Sequence, residues 1–298
     1  MSEQKWQRSS LRQVKTQLSN LGHPTSHSTI GRLLRGMNYS LKANVKRLAG
    51  TAHPDRNQQF EYIASQKRIF AAAGLPIISI DAKKKELIGN FKNPGQSWCQ
   101  APLAVNDHDF AHAALGKAVP YGIYDLKHNR GYVYVGNSAD TAQFAVDSLV
   151  GWWRSDGQFL YPEAHKLLIL ADAGGSNGCR PRLWKLRLQE QLADRFGLEV
   201  TVCHYPTGTS KWNPIEHRLF GPITTNWAGK PLRSFAFLLA AIRGTVTDAG
   251  LLVKATLVDK VYHKAIQVTK SVMQALSIEM HATCPRWNYT IKPRPSMI

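Results

Sequence analysis

Residues 75–86 read LPIISIDAKKKE. The run LPIISI (75–80) is apolar but for Ser79 and rich in β-branched residues. It is long enough for one strand and too short for a core helix. A strand apolar on both faces belongs in the middle of a sheet covered on both sides. It ends at Asp81, and Lys83, Lys84 and Lys85 follow. Another buried strand lies downstream, KLLILA (166–171), which ends at Asp172, and LEVTVCHY (198–205) reads as a further strand. Between them, 181–196 reads as a helix, with Pro181 at its first turn and Gly197 past its end. Upstream, YGIYDL (121–126) and GYVYVG (131–136) read as a hairpin joined by 127–130. Residues 139–153 (ADTAQFAVDSLVGWW) read as an amphipathic helix. The order is strand, hairpin, helix, strand, helix, strand, helix, which is mixed α/β around a central sheet.

The chain has 298 residues, with 38 Lys and Arg against 20 Asp and Glu, a formal charge of +18. That excess is spread along the chain and calls for a polyanionic partner, with nucleic acid ahead of an acidic membrane surface. The longest purely apolar run, 235–242, is far too short to span a bilayer, and the N-terminus lacks an apolar signal core. Four cysteines without a CxxC pair fit neither a disulfide scaffold nor a zinc ribbon and are expected to be reduced. The expected setting is cytoplasmic and nucleoid-associated, with no membrane contact.

Residues 1–50 carry nine Lys and Arg and a single acid, Glu3. Leu11, Val14, Leu18 and Leu21 recur at helical spacing. A second stripe, Ile30, Leu33, Leu34 and Met37, follows the turn at HPTSHS, with Ser26 or Ser28 as its cap. Two short helices around a turn read as a helix-turn-helix, with Arg32 and Arg35 as its DNA contacts. The domain reading is therefore 1–50 helix-turn-helix, 51–74 connecting helix, 75–228 catalytic domain, and 229–298 an extension packing on the core with some DNA contact.

KWNPIEHRLF (211–220) holds a third acid, Glu216. Asn213 suits an N-cap, Pro214 the first helical position, and Glu216 falls three residues after Asn213, where a capping-box acid belongs. That structural role competes with a chemical one. Asp81 and Asp172 end apolar strands, where α/β sheets place their sites, and Glu216 opens the last helix of the set. Two bare carboxylates 4 Å apart repel by roughly 4 kcal/mol at an effective dielectric of 20. Three together need cations or protons, and hard oxygen donors suit Mg²⁺ or Mn²⁺. Two such ions about 4 Å apart serve phosphodiester displacement. A basic surface to hold a polyanion and an acidic pocket to hold metals is the pairing that nucleic-acid phosphoryl transfer requires.

SIDAKKKE (79–86), LILADAGGSNG (168–178) and KWNPIEHRLF (211–220) resemble the three acidic motifs of bacterial insertion-sequence DDE transposases, which have an RNase H-like catalytic domain of the retroviral-integrase type. HPDRNQQFEYI (53–63) and WNYTIKPRP (287–295) resemble the Rhodopirellula-type group of those enzymes. The likeness covers most of residues 25–298. It implies that Asp81, Asp172 and Glu216 are the catalytic, metal-binding triad for two Mg²⁺ (or Mn²⁺) ions. The implied reaction is cleavage of donor DNA and transfer of a 3′-hydroxyl end into target DNA. The implied partner is double-stranded DNA, element ends and target alike, bound by a DNA-induced homodimer. Similar transposases have more chain before the helix-turn-helix, so the resemblance also implies a truncated copy.

Around the triad, Lys83, Lys84 and Lys85 are expected to hold phosphates, with Lys83 and Lys85 on one face if the strand continues. Lys211 and Trp212 are expected to hold or stack on an unpaired base, core packing being the alternative for Trp212. Arg218 is expected on DNA. Ser176, Asn177 and His217 are further residues near the acids, each explained equally by local structure. His108, Asp109 and His112 read as helix surface. Two other functions fit the same features: an RNase H-like nuclease using water as its nucleophile, and a truncated, inactive copy that only binds DNA.

Overall fold

The computed structural model describes residues 10–40 and 53–295, without the side chains of 108–110. It divides into two compact units, Met1–Gly50 and Thr51–Ile298. In the first, α1 (Leu11–Asn20) starts at Ser10, which forms a reciprocal capping box with Gln13. The second helix, α2 (His27–Gly36), starts at Ser26, whose side chain accepts from the Thr29 N–H. The expected buried stripe of α2 is only partly buried. Ile30 is covered, whereas Leu33 and Met37 are 55% and 58% exposed. Arg32 points to solvent, and Arg35 folds back to donate from Nε to the Gly31 carbonyl at 3.1 Å.

The second unit is built on one sheet of nine strands among the described residues: β1 (Ile77–Ala82), β2 (Glu86–Ile88), β3 (Gly116–Asp125), β4 (Arg130–Gly136), β5 (Lys166–Asp172), β6 (Glu199–Tyr205), β7 (Leu252–Val258), β8 (Ile278–Met280) and β9 (Asn288–Ile291). Their order is β7-β4-β3-β1-β5-β6-β9-β8, with β2 paired to β3. β1, β5 and β6 run parallel at the centre, and β3 and β4 form an antiparallel hairpin beside β1.

One face of the sheet packs Ile78, Ile80, Tyr121, Leu167, Ile169, Val200 and Val202 against Phe144, Leu149 and Trp152 of the helix Ala142–Trp152 and Trp184 and Leu188 of Arg182–Leu188. On the other face, Ile63 and Phe70 of the helix Arg56–Ala72 cover Ile77, Leu168, Leu170 and Cys203. Ile215, Leu219 and Phe220 cover the β3–β4 side of the sheet. The segment expected only to connect is thus a core layer. Its buried Gln59 exchanges amide hydrogen bonds with Asn288 of β9 at 2.8 and 2.6 Å.

The expected helix 181–196 is interrupted by a π-helical turn, Gln189–Ala193, and ends at Gly197, whose φ of 67° is the left-handed conformation a terminating glycine supplies without a Cβ clash. The division expected at residue 228 is not structural. After the helix Phe235–Arg243, β7 pairs in parallel with β4, and β9 pairs antiparallel with β6, so residues 229–295 supply both flanks of the sheet. The tail expected to touch DNA is buried at Tyr289 and Ile291, because its alternating apolar residues complete the sheet. All four cysteines are free. No helix among the described residues is long and apolar enough to cross a membrane.

Candidate active site

The parallel register of β1 and β5 pairs Ile80 with Ala171. One step further places Asp81 beside Asp172, on neighbouring strands spaced about 4.8 Å apart. Side chains alternate along a strand. Both acids therefore project to the face that carries Ser79 and Leu170, away from Ile80 and Ala171.

Asn213 brings the third acid to that face. Its side chain is fully buried and does not cap a helix. Its Nδ2 donates to Asp172 Oδ1 at 3.1 Å and to the Ile80 carbonyl at 3.3 Å. Its Oδ1 accepts a short bond from Ser79 Oγ, which in turn accepts from the Ile215 N–H at 3.1 Å. The expected capping box is thus overturned. What remains of it is backbone only, the Glu216 N–H donating to the Asn213 carbonyl at 3.1 Å. The Asn213 side chain is spent on β1 and β5, where buried polar groups demand partners. Glu216 opens a π-helical turn, Glu216–Phe220, that continues into the helix Gly221–Asn226. Local patterning gave no sign of that turn, though such turns gather at functional sites.

The helix reaches the sheet through a glycine. Gly122 pairs with Asp81 across β1 and β3. A Cβ there would lie 2.6 Å from the Phe220 ring and 2.9 Å from Ile215. Gly122→Ala is expected to cost about 1–3 kcal/mol through overpacking, read as a lower melting temperature. An unchanged melt would show that the contact relaxes freely.

Electrostatics link the acids. Burial first, then the charges of Asp172, Glu216 and Asp140, push Asp81 up to about 8, against the Ala82 N–H that donates to its Oδ1 at 2.7 Å. Asp172 is raised by burial and by Glu216, against the Asn213 hydrogen bond. Beneath Asp172, the His204 ring donates from Nδ1 to the Asp172 carbonyl at 2.9 Å and receives the Tyr289 hydroxyl at Nε2, 3.2 Å away. Burial pushes His204 down to about 4, so this support is neutral near pH 7. Asp140 and Tyr121, both coupled to Asp81, carry no signal in the sequence that separates them from a residue preceding a helix and a strand aromatic. Among the described residues, no three His, Cys, Asp or Glu side chains stand close enough together to hold a metal ion directly.

The expected DNA contacts divide. Lys83 is 10% exposed, bonded to Glu86 at 3.0 Å, with its Nζ 4.7 Å from the Trp227 ring centre. It is a buttress of the site, and it shares no face with Lys85 because β1 stops at Ala82. Lys84 and Lys85 are exposed. Lys84, Lys83, Glu216, Phe220, Gly221, Thr224 and Thr225 line an open cavity of about 420 Å³. Trp212 does not enter the core. It is 42% exposed, with Lys211 Nζ and the Arg56 guanidinium 4.1 and 4.9 Å from its ring centre and Phe60 edge-on. Arg218 is exposed. His217 is tied locally, donating from Nε2 to the Lys211 carbonyl at 2.5 Å. Ser176 Oγ and Asn177 Nδ2, in the turn after Asp172, are buried without a hydrogen-bond partner.

Comparison with known proteins yields one family and one fold. The chain is similar to the mariner Mos1 paired end complex with Mg, at 17% identity and a TM-score of 0.50, covering 76% of this chain and 64% of that one. It also matches the Mos1 transposase paired-end complex with left transposon end, at 15% identity and a TM-score of 0.46, covering 76% of this chain. The chain spans 63% of that protein's length. The likeness concerns architecture, a mixed sheet flanked by helices of the RNase H-like type. No curated protein matches the chain in sequence. The model of the Rhodopirellula transposase DDE domain matches residues 1–293. With that model matching nearly its whole length, the chain, a mixed sheet with half-buried acids at the ends of β1 and β5, belongs to that DDE transposase family.

Proposed function

We propose that the protein is a DDE-type polynucleotidyl transferase that cuts DNA at the ends of an insertion sequence and joins them to target DNA. In this reading Asp81, Asp172 and Glu216 hold divalent cations, Mg²⁺ or Mn²⁺, two at a time. The observation that carries it is the placement of Asp81 and Asp172 side by side on adjacent parallel strands, with Glu216 electrostatically coupled to both. Family membership supports the reaction class.

The donor set fits a hard cation. It consists of carboxylate oxygens in a buried site where Asp81 otherwise keeps its proton up to about pH 8, and a cation favours the charged form. Bound there, Mg²⁺ or Mn²⁺ would activate the attacking oxygen and stabilise the leaving one. The chain's own groups do the rest. The Ala82 N–H and the Asn213 amide each fix one oxygen of an aspartate, Asp81 and Asp172 respectively, which orients both carboxylates. The Ser79–Ile215 bond fixes the start of the turn that carries Glu216. Lys84 lines the cavity beside Glu216, where phosphate oxygens of a bound strand would find a cationic donor. Arg56, Lys211 and Trp212 offer a cationic, aromatic surface suited to an unstacked base. Arg32 and Arg35 in the first unit, and Lys85 and Arg218 in the second, are each part of the proposed contacts with double-stranded DNA.

The test uses a labelled duplex carrying the element's own end. Cleaved and joined products are expected with Mg²⁺ or Mn²⁺ and none with EDTA. Binding of the duplex without any product under Mg²⁺ would reduce the protein to a DNA-binding member of its family.

A further inference from the structure

The helix Arg56–Ala72 runs from the acid end of the sheet to the opposite end. In its first turns Phe60 meets Tyr205, the last residue of β6, and Trp212. Past its last turn the chain reverses at Gly74, whose φ is 70°, and enters β1 at Ile77. The helix holds the cations Arg56, Lys67 and Arg68 against a single acid, Glu61. Arg56 stands beside Trp212. Arg68 lies about 18 Å further along, at about 1.5 Å per residue.

At that far end the helix borders an open groove of about 740 Å³. Ala64, Ala71, Leu75, Ile77 and Leu126 give it an apolar floor, and Lys67, Arg68, Lys127 and Glu61 complete its lining. An apolar floor is what the methylene stems of lysine and arginine cover while their charged ends stay in solvent. Among the described residues, Lys67, Arg68 and Lys127 form no ion pair, whereas Lys260, Lys292 and Arg294 elsewhere each hold a carboxylate, at 2.7, 2.5 and 2.7 Å. The groove and the acids share one face of the sheet. Side chains alternate along β1, so Ile77, Ser79 and Asp81 point the same way. Ile77 lies about 13 Å from Asp81, at about 3.3 Å per residue.

Three unpaired cations around a groove with one acid attract a polyanion. A second copy of this chain, at +18, would be repelled. We propose that Lys67, Arg68 and Lys127 form a second phosphate-binding site, which grips duplex DNA at the end of the helix Arg56–Ala72 away from the acids. This rests on the reading of Asp81, Asp172 and Glu216 as the place of DNA cleavage, which already puts a strand on this face. With one phosphate per strand for about each 3.4 Å of duplex, the grip falls about four to five base pairs from the phosphate at the acids. Contacts of this kind set the register of the duplex and take no part in the chemistry.

The experiment follows binding of the full chain to the element-end duplex by fluorescence anisotropy, in EDTA and across a salt series. It compares wild type with the triple variant Lys67→Gln, Arg68→Gln, Lys127→Gln. A second triple variant, Lys260→Gln, Lys292→Gln, Arg294→Gln, removes the same charge from ion-paired positions. Each lost phosphate contact takes about 0.9 off the slope of log affinity against log salt, so the groove variant's slope should fall by about 2–3 and its affinity by roughly a hundredfold near 0.1 M salt. The ion-paired variant should lose less than about 1 from the slope. Single neutral methylphosphonate linkages then locate the contact. Those about four to five base pairs from the element's terminus should weaken wild-type binding and leave the groove variant's affinity unchanged. Wild-type slope and affinity in the groove variant would overturn the proposal and leave the groove to an acidic segment of another protein. Equal losses in the two triple variants would overturn it as well, because net charge alone would account for them. Binding is read without metal, so the expected slope change in a chain that makes no product under Mg²⁺ would keep the groove contact and overturn only the triad reading.

Discussion

Replacing Glu216 with glutamine is expected to cut DNA cleavage and joining by about a thousandfold or more, roughly 4 kcal/mol of transition-state stabilisation, while DNA affinity holds or rises. Glutamine keeps the size and shape of the side chain and removes only its charge. The start of the helix survives the change, because it depends on the Asn213 carbonyl, the Ser79 hydroxyl and backbone N–H groups, with no bond from the Glu216 side chain. Removing a negative charge also relieves the repulsion that Glu216 exerts on Asp81 and Asp172. A pocket one charge less negative repels phosphate less, so binding has no reason to weaken. Product formation on the element-end duplex and fluorescence anisotropy on the same DNA separate the two effects. Activity within tenfold of wild type would sink the catalytic role. Loss of folding would return Glu216 to the role of a helix-start residue.

The second large effect concerns pH. In the metal-free protein Asp81 keeps its proton up to about pH 8, against an ordinary value near 3.8. Below about pH 4 the carboxyl is protonated in both the folded and unfolded chains, and its contribution to stability is fully present. As the pH rises, the unfolded chain loses this proton first, so the folded state falls behind until it too ionises near pH 8. At about 1.4 kcal/mol for each pH unit between the two ionisations, the loss across that window is on the order of 5 kcal/mol. Asp172, raised in the same direction, adds to it. The carboxylates held low, Asp156 by the Lys254 and Ser155 hydrogen bonds and Asp194 by Arg294, act oppositely. Their stabilisation is present above the ordinary carboxylate range and is lost only in more acidic solution, so the windows barely overlap. His204, held neutral in the fold down to about pH 4, works against the Asp81 slope up to about pH 6.5, so melting temperatures in EDTA are expected to fall most steeply between about pH 6.5 and pH 8. The slope should flatten in Asp81→Asn, and Mg²⁺ should restore the alkaline end. A flat wild-type profile would show that the pocket does not hold Asp81 in its neutral form.

Much of the fold was legible because the signals involved are local. The runs at 75–80, 166–171 and 198–205 became β1, β5 and β6, displaced by a residue or two, since strands buried on both faces are mostly apolar and rich in β-branched residues. Gly197 ends its helix at a positive φ, as its place in the pattern required. The C-terminal strands were harder. β8 and β9 are three and four residues long, and β7 lies next to β4 through a pairing that spans more than a hundred residues of chain. Lys83 and Trp212 show the same limit on the surface. A lysine run says nothing of which member will settle on an indole, and a tryptophan beside a predicted helix says nothing of whether cations will hold it open to solvent.

Hydrophobic period and turn chemistry act between near neighbours, so the chain alone specified a mixed central sheet and set Asp81 and Asp172 at the ends of two of its strands. Which groups meet at those ends was decided by packing across long separations. Asn213 bonds to Ser79 across 134 residues of chain, and that contact turns a plausible cap into the bridge between β1, β5 and the turn carrying Glu216. The Tyr121 ring meets Phe144 only once β3 is in register with β1 and the helix Ala142–Trp152 has closed on the face opposite Asp81. Side-chain burial and hydrogen-bond pairing depend on three-dimensional register, and a one-residue slip would turn each of these groups to the opposite face of the sheet.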